Sequence, residues 1–153
     1  RGEKSVPVRQ FTETLVREIQ PKDYLGEILA IRNVFVQPPP VANGAPALFR
    51  YTNDPRHVEM VKDPERLVHE IVLYGSCLTD CDDSAQMAGT MALVLGREVE
   101  FVAMGFSPRE LSHVAVRVKE PKSGAWILLD GVAGPREKEA ADRAKELLYW
   151  SLD

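Results

Sequence analysis

The hydrophobic period of this chain changes at Gly96, and that change limits the possible folds more than any other feature. Before Gly96, apolar residues recur at the three- and four-residue spacing of amphipathic helices. After Gly96 they alternate with a period of two, as in half-buried strands. Helices followed by strands predict an α+β domain, with N-terminal helices packed on an antiparallel sheet.

Three helices are predicted in the first half of the chain. They are a segment around Phe11–Ile19 that Pro21 ends, a segment from about Tyr24 to Phe35 with Asp23 as N-cap, and a segment over 65–74 that Asp63 and Pro64 begin. We expect residues 74–80 to be loop. The Pro-rich segment 38–47 is interpreted as a loop within a single domain, 1–153, because the chain before it is too short for its own core.

A fourth helix is predicted from about Cys81 to Leu95, ended by Gly96. Its inner positions carry small side chains, namely Ala85, Ala88, Gly89 and Ala92. Small residues allow neighbouring elements to approach the helix backbone closely. We therefore expect this helix, which the cysteine opens, to be central and buried.

The second half of the chain predicts an antiparallel meander of three strands. The strands are expected around Val99–Ala103, His113–Val118 and Ala125–Leu129, with a turn at 121–124 between the last two. The final segment, Arg136 to Trp150, is predicted to be a helix with Ala140, Ala144, Leu147 and Leu148 on its inner face. Its balanced charges indicate a solvated face rather than a binding patch.

Composition argues against several classes of function. The formal net charge is −4, which gives no electrostatic attraction to nucleic acid. No apolar run reaches the ~20 residues that span a bilayer, so no membrane interaction is expected. His57 and His69 lack the spacing of a zinc site, and no phosphate or dinucleotide loop is present, so we expect no metal and no cofactor.

Cys81 is the most informative residue for chemistry. It lies where a loop becomes a helix, so the unpaired N–H groups and the positive dipole end of the helix favour its thiolate. The alternative is a small buried hydrophobe, the commoner fate of a free cysteine. Asp80, Asp82 and Asp83 surround it. We expect Asp80 to be the N-cap and the other two to face solvent or a basic partner.

His113 begins the second predicted strand, and Asp130 ends the third. In an antiparallel hairpin these two positions come within cross-strand reach. Asp130 could then hold one imidazole nitrogen while the other faces Cys81. This is the arrangement of nucleophile, base and orienting acid used in acyl transfer. A lone histidine on a strand is otherwise more often structural.

Several segments together resemble the transglutaminase-like superfamily, which has a papain-like core. They are Thr79–Ala85, Leu93–Gly96, Phe101-Val102, Ser112–Val116 and Trp126–Asp130. The family pattern is a Gly-x-Cys-x-Asp helix start, a helix ending in Leu-Gly, a strand opened by His and a Trp-x-x-Leu-Asp strand. Tyr51 also fits, and the resemblance covers about residues 24–132.

The resemblance implies that Cys81 is the nucleophile, His113 the general base and acid, and Asp130 the orienting group. Two departures bear on the substrate: Thr79 replaces the usual glycine, and Val114-Ala115 replaces a frequent Ala-Trp. The stretch Tyr51–Pro55 also resembles short domains encoded by tailed phages and prophages. That resemblance suggests a virion-associated protein as one interpretation.

Two functional hypotheses follow. The first is cysteine-dependent acyl transfer or hydrolysis at a peptide or glutamine-amide carbonyl, with hydrolysis favoured over cross-linking and a protein or peptide as substrate. The second is a catalytically silent binding or assembly module of the same fold, for example in a phage particle. Because a disulfide would consume the nucleophile, Cys77 and Cys81 are expected to be reduced, as in the cytoplasm. The oligomeric state stays open.

Overall fold

The computed structural model describes residues 2–35, 48–52, 60–107, 111–130, 144 and 146–151. These residues form four α-helices: α1 (Val6–Val16), α2 (Tyr24–Asn33), α3 (Pro64–Tyr74) and α4 (Cys81–Val94). They also form six strands: β1 (Phe49–Tyr51), β2 (Cys77–Thr79), β3 (Val99–Gly105), β4 (His113–Lys119), β5 (Trp126–Leu129) and β6 (Glu146–Ser151). The described part of the chain is thus an α+β fold, as predicted.

The main sheet has four antiparallel strands in the order β5-β4-β3-β6. The predicted meander accounts for β3, β4 and β5, whose turn at residues 121–124 joins β4 to β5. Glu120 fixes this turn, because its carboxylate accepts hydrogen bonds from the N–H groups of Lys122 and Ser123. A separate pair of short parallel strands, β1 and β2, lies outside this sheet.

Helix α4 is the centre of the fold. On one side it packs across β4 and β3, and on the other it contacts α1, α2 and α3. The predicted small residues Ala85, Ala88 and Ala92 are buried, and Met87 and Met91 are fully buried beside them. Unbranched methionines fill the irregular gaps that small residues leave. The prediction of a central, buried helix opened by the cysteine is confirmed.

The predicted helix Arg136–Trp150 is wrong over residues 146–150, which belong to β6. This strand pairs antiparallel with β3, with Phe101 opposite Trp150 and Ala103 opposite Leu148. A short apolar and aromatic run, Leu147–Trp150, fits a strand as well as one turn of helix, so periodicity alone does not separate them. The hydrogen bonds that this segment forms with the otherwise unpaired edge of β3 favour the strand over the helix. Of the rest of that segment, only residue 144 lies inside the described residues.

Residues 77–79 were expected to be loop, but they form the strand β2. A run of three residues carries no measurable period, and its partner β1 lies 26 or more residues earlier in the chain. Hydrogen bonds to β1 hold this strand in the core, where Cys77 and Thr79 are buried. Because β2 leads directly into Asp80, it fixes the start of α4.

The other helix predictions agree with the structure, apart from small shifts at their ends. Asp23 caps α2 by accepting a hydrogen bond from the Gly26 N–H, and Asp63 caps α3 through the Glu65 N–H. Helix α1 begins earlier than predicted and ends before Pro21. The Pro-rich segment 38–47 and His57 lie outside the described residues. None of the helices described is long and apolar enough to cross a membrane.

Candidate active site

Cys81 is the first residue of α4 and is partly buried. Asp80, as N-cap, accepts a hydrogen bond from the Asp83 N–H at 3.1 Å, and the Asp83 carboxylate reaches back to the Asp80 N–H. This capping box fixes the first turn. The N–H of Cys81 is one of the first-turn donors that have no acceptor within their own helix. The thiol therefore lies at the positive end of a well-defined helix dipole.

His113 and Asp130 are in direct contact. The Nε2 atom of His113 lies 2.6 Å from Oδ2 of Asp130, whose side chain is 1% exposed. The β4–β5 ladder ends at the pair Val116 and Leu129, so Asp130 follows one residue beyond it. The two side chains meet along the diagonal of the hairpin rather than directly opposite each other, within the reach of long side chains. The predicted contact is present.

His113 also interacts with Cys81. Burial disfavours the protonated ring, but hydrogen bonds to Asp130 and Cys81 and the charges of both groups outweigh it and raise the pKa of His113 to about 9. Since Nε2 faces Asp130, the other ring nitrogen, Nδ1, is the one available to the sulfur. A ring protonated at neutral pH donates from both nitrogens. The structure thus brings together the three predicted residues, Cys81, His113 and Asp130.

A cleft of about 300 Å³ opens at this cluster. Its lining residues are Asp80, Cys81, Asp82, Ala103, Leu111, Ser112, His113 and Val114. The other free cysteine, Cys77, is buried, and burial, with a contribution from Glu70, raises the pKa of its thiol to about 12. Only one of the two thiols therefore combines a cleft with a neighbouring imidazole.

Three carboxylates surround the start of α4. Oxygens of Asp80, Asp82 and Asp83 lie within 4.8 Å of one another. Burial raises the pKa of Asp80, and a hydrogen bond with the Asp82 side chain raises it further. Oxygen donors of this kind suit hard cations. Asp83, however, is already held by the Lys62 N–H at 2.6 Å and by the capping box. The expectation that Asp83 faces solvent or a basic partner is therefore wrong, because this side chain is buried and closes the capping box. Asp80, the predicted N-cap, and Asp82 line the cleft and give it a negative rim.

Two aromatic residues lie near the cluster. Phe106 was not identified from the sequence, and Tyr51 was named there only as part of the family resemblance. Phe106 lies with its ring centroid 6.4 Å from that of His113, on the loop that follows β3. It places an aromatic ring beside the histidine although Val114-Ala115 supplies none. Tyr51 ends β1; burial raises the pKa of its phenol, and the charges of Cys81 and Asp80 raise it further. No local sequence pattern reports the proximity of Phe106.

Comparison with known proteins shows a similarity of fold. No protein-family profile matches the chain, and no curated protein matches it. The fold is similar to the crystal structure of a "putative protease" from Parabacteroides distasonis, with a TM-score of 0.58 and 15% identity. The similarity covers 85% of this chain and 24% of that chain. At this identity the similarity bears on the fold alone, and the chain spans about a quarter of the length of that protein.

Proposed function

We propose that this domain is a cysteine hydrolase of the transglutaminase-like type, which cleaves a peptide or amide bond of a protein or peptide substrate. Cys81 is the nucleophile, His113 the general acid and base, and Asp130 the orienting group. The observation that carries this proposal is the position of His113. It is hydrogen-bonded at Nε2 to the buried Asp130 and also interacts with Cys81 at the start of α4.

The pairing gives each group a defined task. A protonated His113 stabilises the Cys81 thiolate by charge, and α4 adds its positive dipole end. Asp130, at 1% exposure, has little freedom to turn towards water, so it holds the imidazole in one orientation. The order of elements, a helix opened by cysteine and then strands that bring histidine and aspartate together, also supports a transglutaminase-like core.

The reaction proceeds in two steps. The Cys81 sulfur attacks the substrate carbonyl carbon and forms a C–S bond, and the N–H of Cys81 is placed to donate to the developing oxyanion. The C–N bond breaks as His113 transfers its proton to the leaving amine. Water then attacks the thioester, with His113 accepting its proton. The C–S bond breaks, which releases the acid and restores the thiolate paired with the protonated ring.

Hydrolysis is favoured over transfer to an amine. Within the described residues the cleft opens to solvent through exposed side chains such as Leu111, so water reaches the thioester. A cross-linking enzyme needs a site that excludes water from the intermediate. Both cysteines are free, which supports a reducing compartment such as the cytoplasm. A virion location rests on the sequence resemblance alone.

The test is to incubate the protein with a peptide mixture and dansylcadaverine, an amine acceptor, and to measure products by mass spectrometry. We expect either pairs of fragments whose summed mass exceeds that of the parent peptide by one water, or a side-chain amide converted to its acid with loss of ammonia, and little amine incorporation. Cys81→Ala should abolish both products. Cys77→Ala is the matched control and should retain turnover, because Cys77 lies outside the cleft.

Two outcomes would contradict the proposal. The first is turnover that survives Cys81→Ala. The second is the absence of any product, and of any thioester trapped on acid quenching, in a protein whose fold is intact by circular dichroism. The second outcome would favour the binding or assembly module.

A further inference from the structure

A second pocket of about 200 Å³ lies next to the cleft. Its lining residues are Val61, Asp82, Gln86, Phe101, Val114 and Trp150. The rings of Phe101 and Trp150 lie 5.4 Å apart across the β3–β6 pair. The pocket depends on β6, since Trp150 supplies one of its walls.

The pocket adjoins the candidate active site. Asp82 and Val114 line both spaces, and Asp82 is the residue after Cys81. A peptide with its carbonyl at the Cys81 sulfur would therefore lie beside this pocket, and a neighbouring side chain of that peptide would face it.

The walls of the pocket combine apolar surface with acceptor groups. Asp82 and Gln86 are four residues apart on α4 and so share one face of the helix. Oε1 of Gln86 is buried and has no hydrogen-bond partner among the residues that the structure describes. A buried acceptor without a partner is costly, so a rotation of the Gln86 side chain that turns Oε1 towards a hydrogen-bond donor in the pocket would be favoured.

We infer that this pocket is the specificity site for a basic side chain, lysine or arginine, of the peptide substrate. The inference rests on the proposed function and adds the class of substrate. The methylene stem would lie between Phe101, Val114 and Trp150, as long basic side chains commonly lie against apolar surface. The cationic head would pair with the Asp82 carboxylate, and it would donate to Gln86 Oε1 after that side chain turns towards it.

Charge around the pocket favours the same occupant. Asp80, Asp82 and Asp83 are clustered, and burial together with a hydrogen bond to Asp82 raises the pKa of Asp80. A positive side chain in the pocket is attracted by these clustered carboxylates, whereas an acidic side chain is repelled by them. A purely aliphatic side chain would fill the apolar part but leave the Gln86 acceptor without a donor.

The test uses peptidyl acyloxymethyl ketones, which alkylate thiols with loss of a carboxylate. The probes form two sets. In the first set the residue next to the reactive group is lysine, norleucine or glutamate. In the second set the residue before that one is varied in the same way. We expect Cys81 to react with the best lysine probe at least about tenfold faster than with its norleucine counterpart, and slowest with glutamate. Ratios within one protein cancel changes in thiol reactivity.

Variants assign the preference to the pocket. Asp82→Asn should lower the lysine-to-norleucine ratio, and Asp82→Lys should reverse the order of lysine and glutamate. Glu98→Gln is the matched control, since it removes one negative charge from an exposed side chain that lies just before β3 and pairs with Lys119, and it should leave the ratio unchanged.

The outcomes separate the two proposals. Equal labelling by the lysine and norleucine probes in both sets would overturn the inference and leave the proposed function standing. A lysine preference that Asp82→Asn and Asp82→Lys both leave intact would also overturn it. No labelling of Cys81 by any probe would contradict the proposed function and the inference together.

Discussion

Replacing Asp130 by asparagine removes one charge from the cluster and keeps the size of the side chain. Asp130 is buried and lies 2.6 Å from His113 Nε2, so the change acts on the imidazole directly. Burial still disfavours the protonated ring in the variant. Asp130 and Cys81 favour that ring in the wild type, and the first of these loses its charge. We therefore predict a lower pKa for His113 in Asp130→Asn.

The size of the effect follows from the charge-assisted hydrogen bond. Such a bond is worth about 1.5–3 kcal/mol, which corresponds to roughly one to two pKa units. The pKa of His113, about 9 in the wild type, should then fall to about 7–8. At pH 8.5 the protonated fraction of the ring would drop from about three quarters to about one tenth for a pKa of 7.5. Turnover at pH 8.5 should fall by at least about the same factor as the protonated fraction of the ring.

The assay is a pH titration of the His113 ring by NMR, with His113→Ala to assign the signal and Glu98→Gln as a control for loss of a remote charge. Stability gives a second readout. A pKa raised from 6.5 to about 9 stabilises the fold fully below pH 6.5, and this contribution is lost as the pH rises through about 9. In urea unfolding, the free energy of unfolding of Asp130→Asn should fall less than that of the wild type as the pH rises from 6.5 to about 9. An unchanged titration midpoint in Asp130→Asn would refute the reasoning.

Three further predictions concern the thiols and the helix that positions the site. Because the pKa of Cys77 is raised to about 12, chloroacetamide at pH 8 should modify Cys81 alone; peptide mapping that finds both thiols equally modified would contradict this. Asp80→Ala removes the N-cap of α4 and should cost about 1 kcal/mol in urea unfolding, whereas an unchanged midpoint would show that the capping box contributes nothing. Met91→Ala, at a fully buried position, should cost roughly 2–5 kcal/mol, and a cost below 1 kcal/mol would mean that α4 is not central to the core.

The positions of Cys81, His113 and Asp130 were more predictable from sequence than the edges of the fold. The position of Cys81 at a helix start follows from local signals, since Asp80 is a cap residue and small residues recur at helical spacing after it. The contact between His113 and Asp130 follows from the length of one hairpin, because its turn lies midway between them. Both depend on interactions that are close in sequence.

The parts that were mispredicted depend on partners distant in sequence. β6 pairs with β3 about 45 residues earlier in the chain, and nothing within Leu147–Trp150 identifies that partner. β2 similarly depends on β1. The pocket beside the cleft was invisible for the same reason, since Gln86, Phe101 and Trp150 come from three elements that only the folded chain brings together.

The central claim is that His113 activates Cys81, and the alkylation rate of Cys81 as a function of pH in wild type and His113→Ala tests it most directly. Iodoacetamide is small enough to be independent of substrate preference. The claim predicts that at pH 6 the wild-type Cys81 reacts at least about tenfold faster than Cys81 in His113→Ala, because the protonated ring no longer stabilises the thiolate in the variant. Equal rates across the pH range in a folded variant would contradict it.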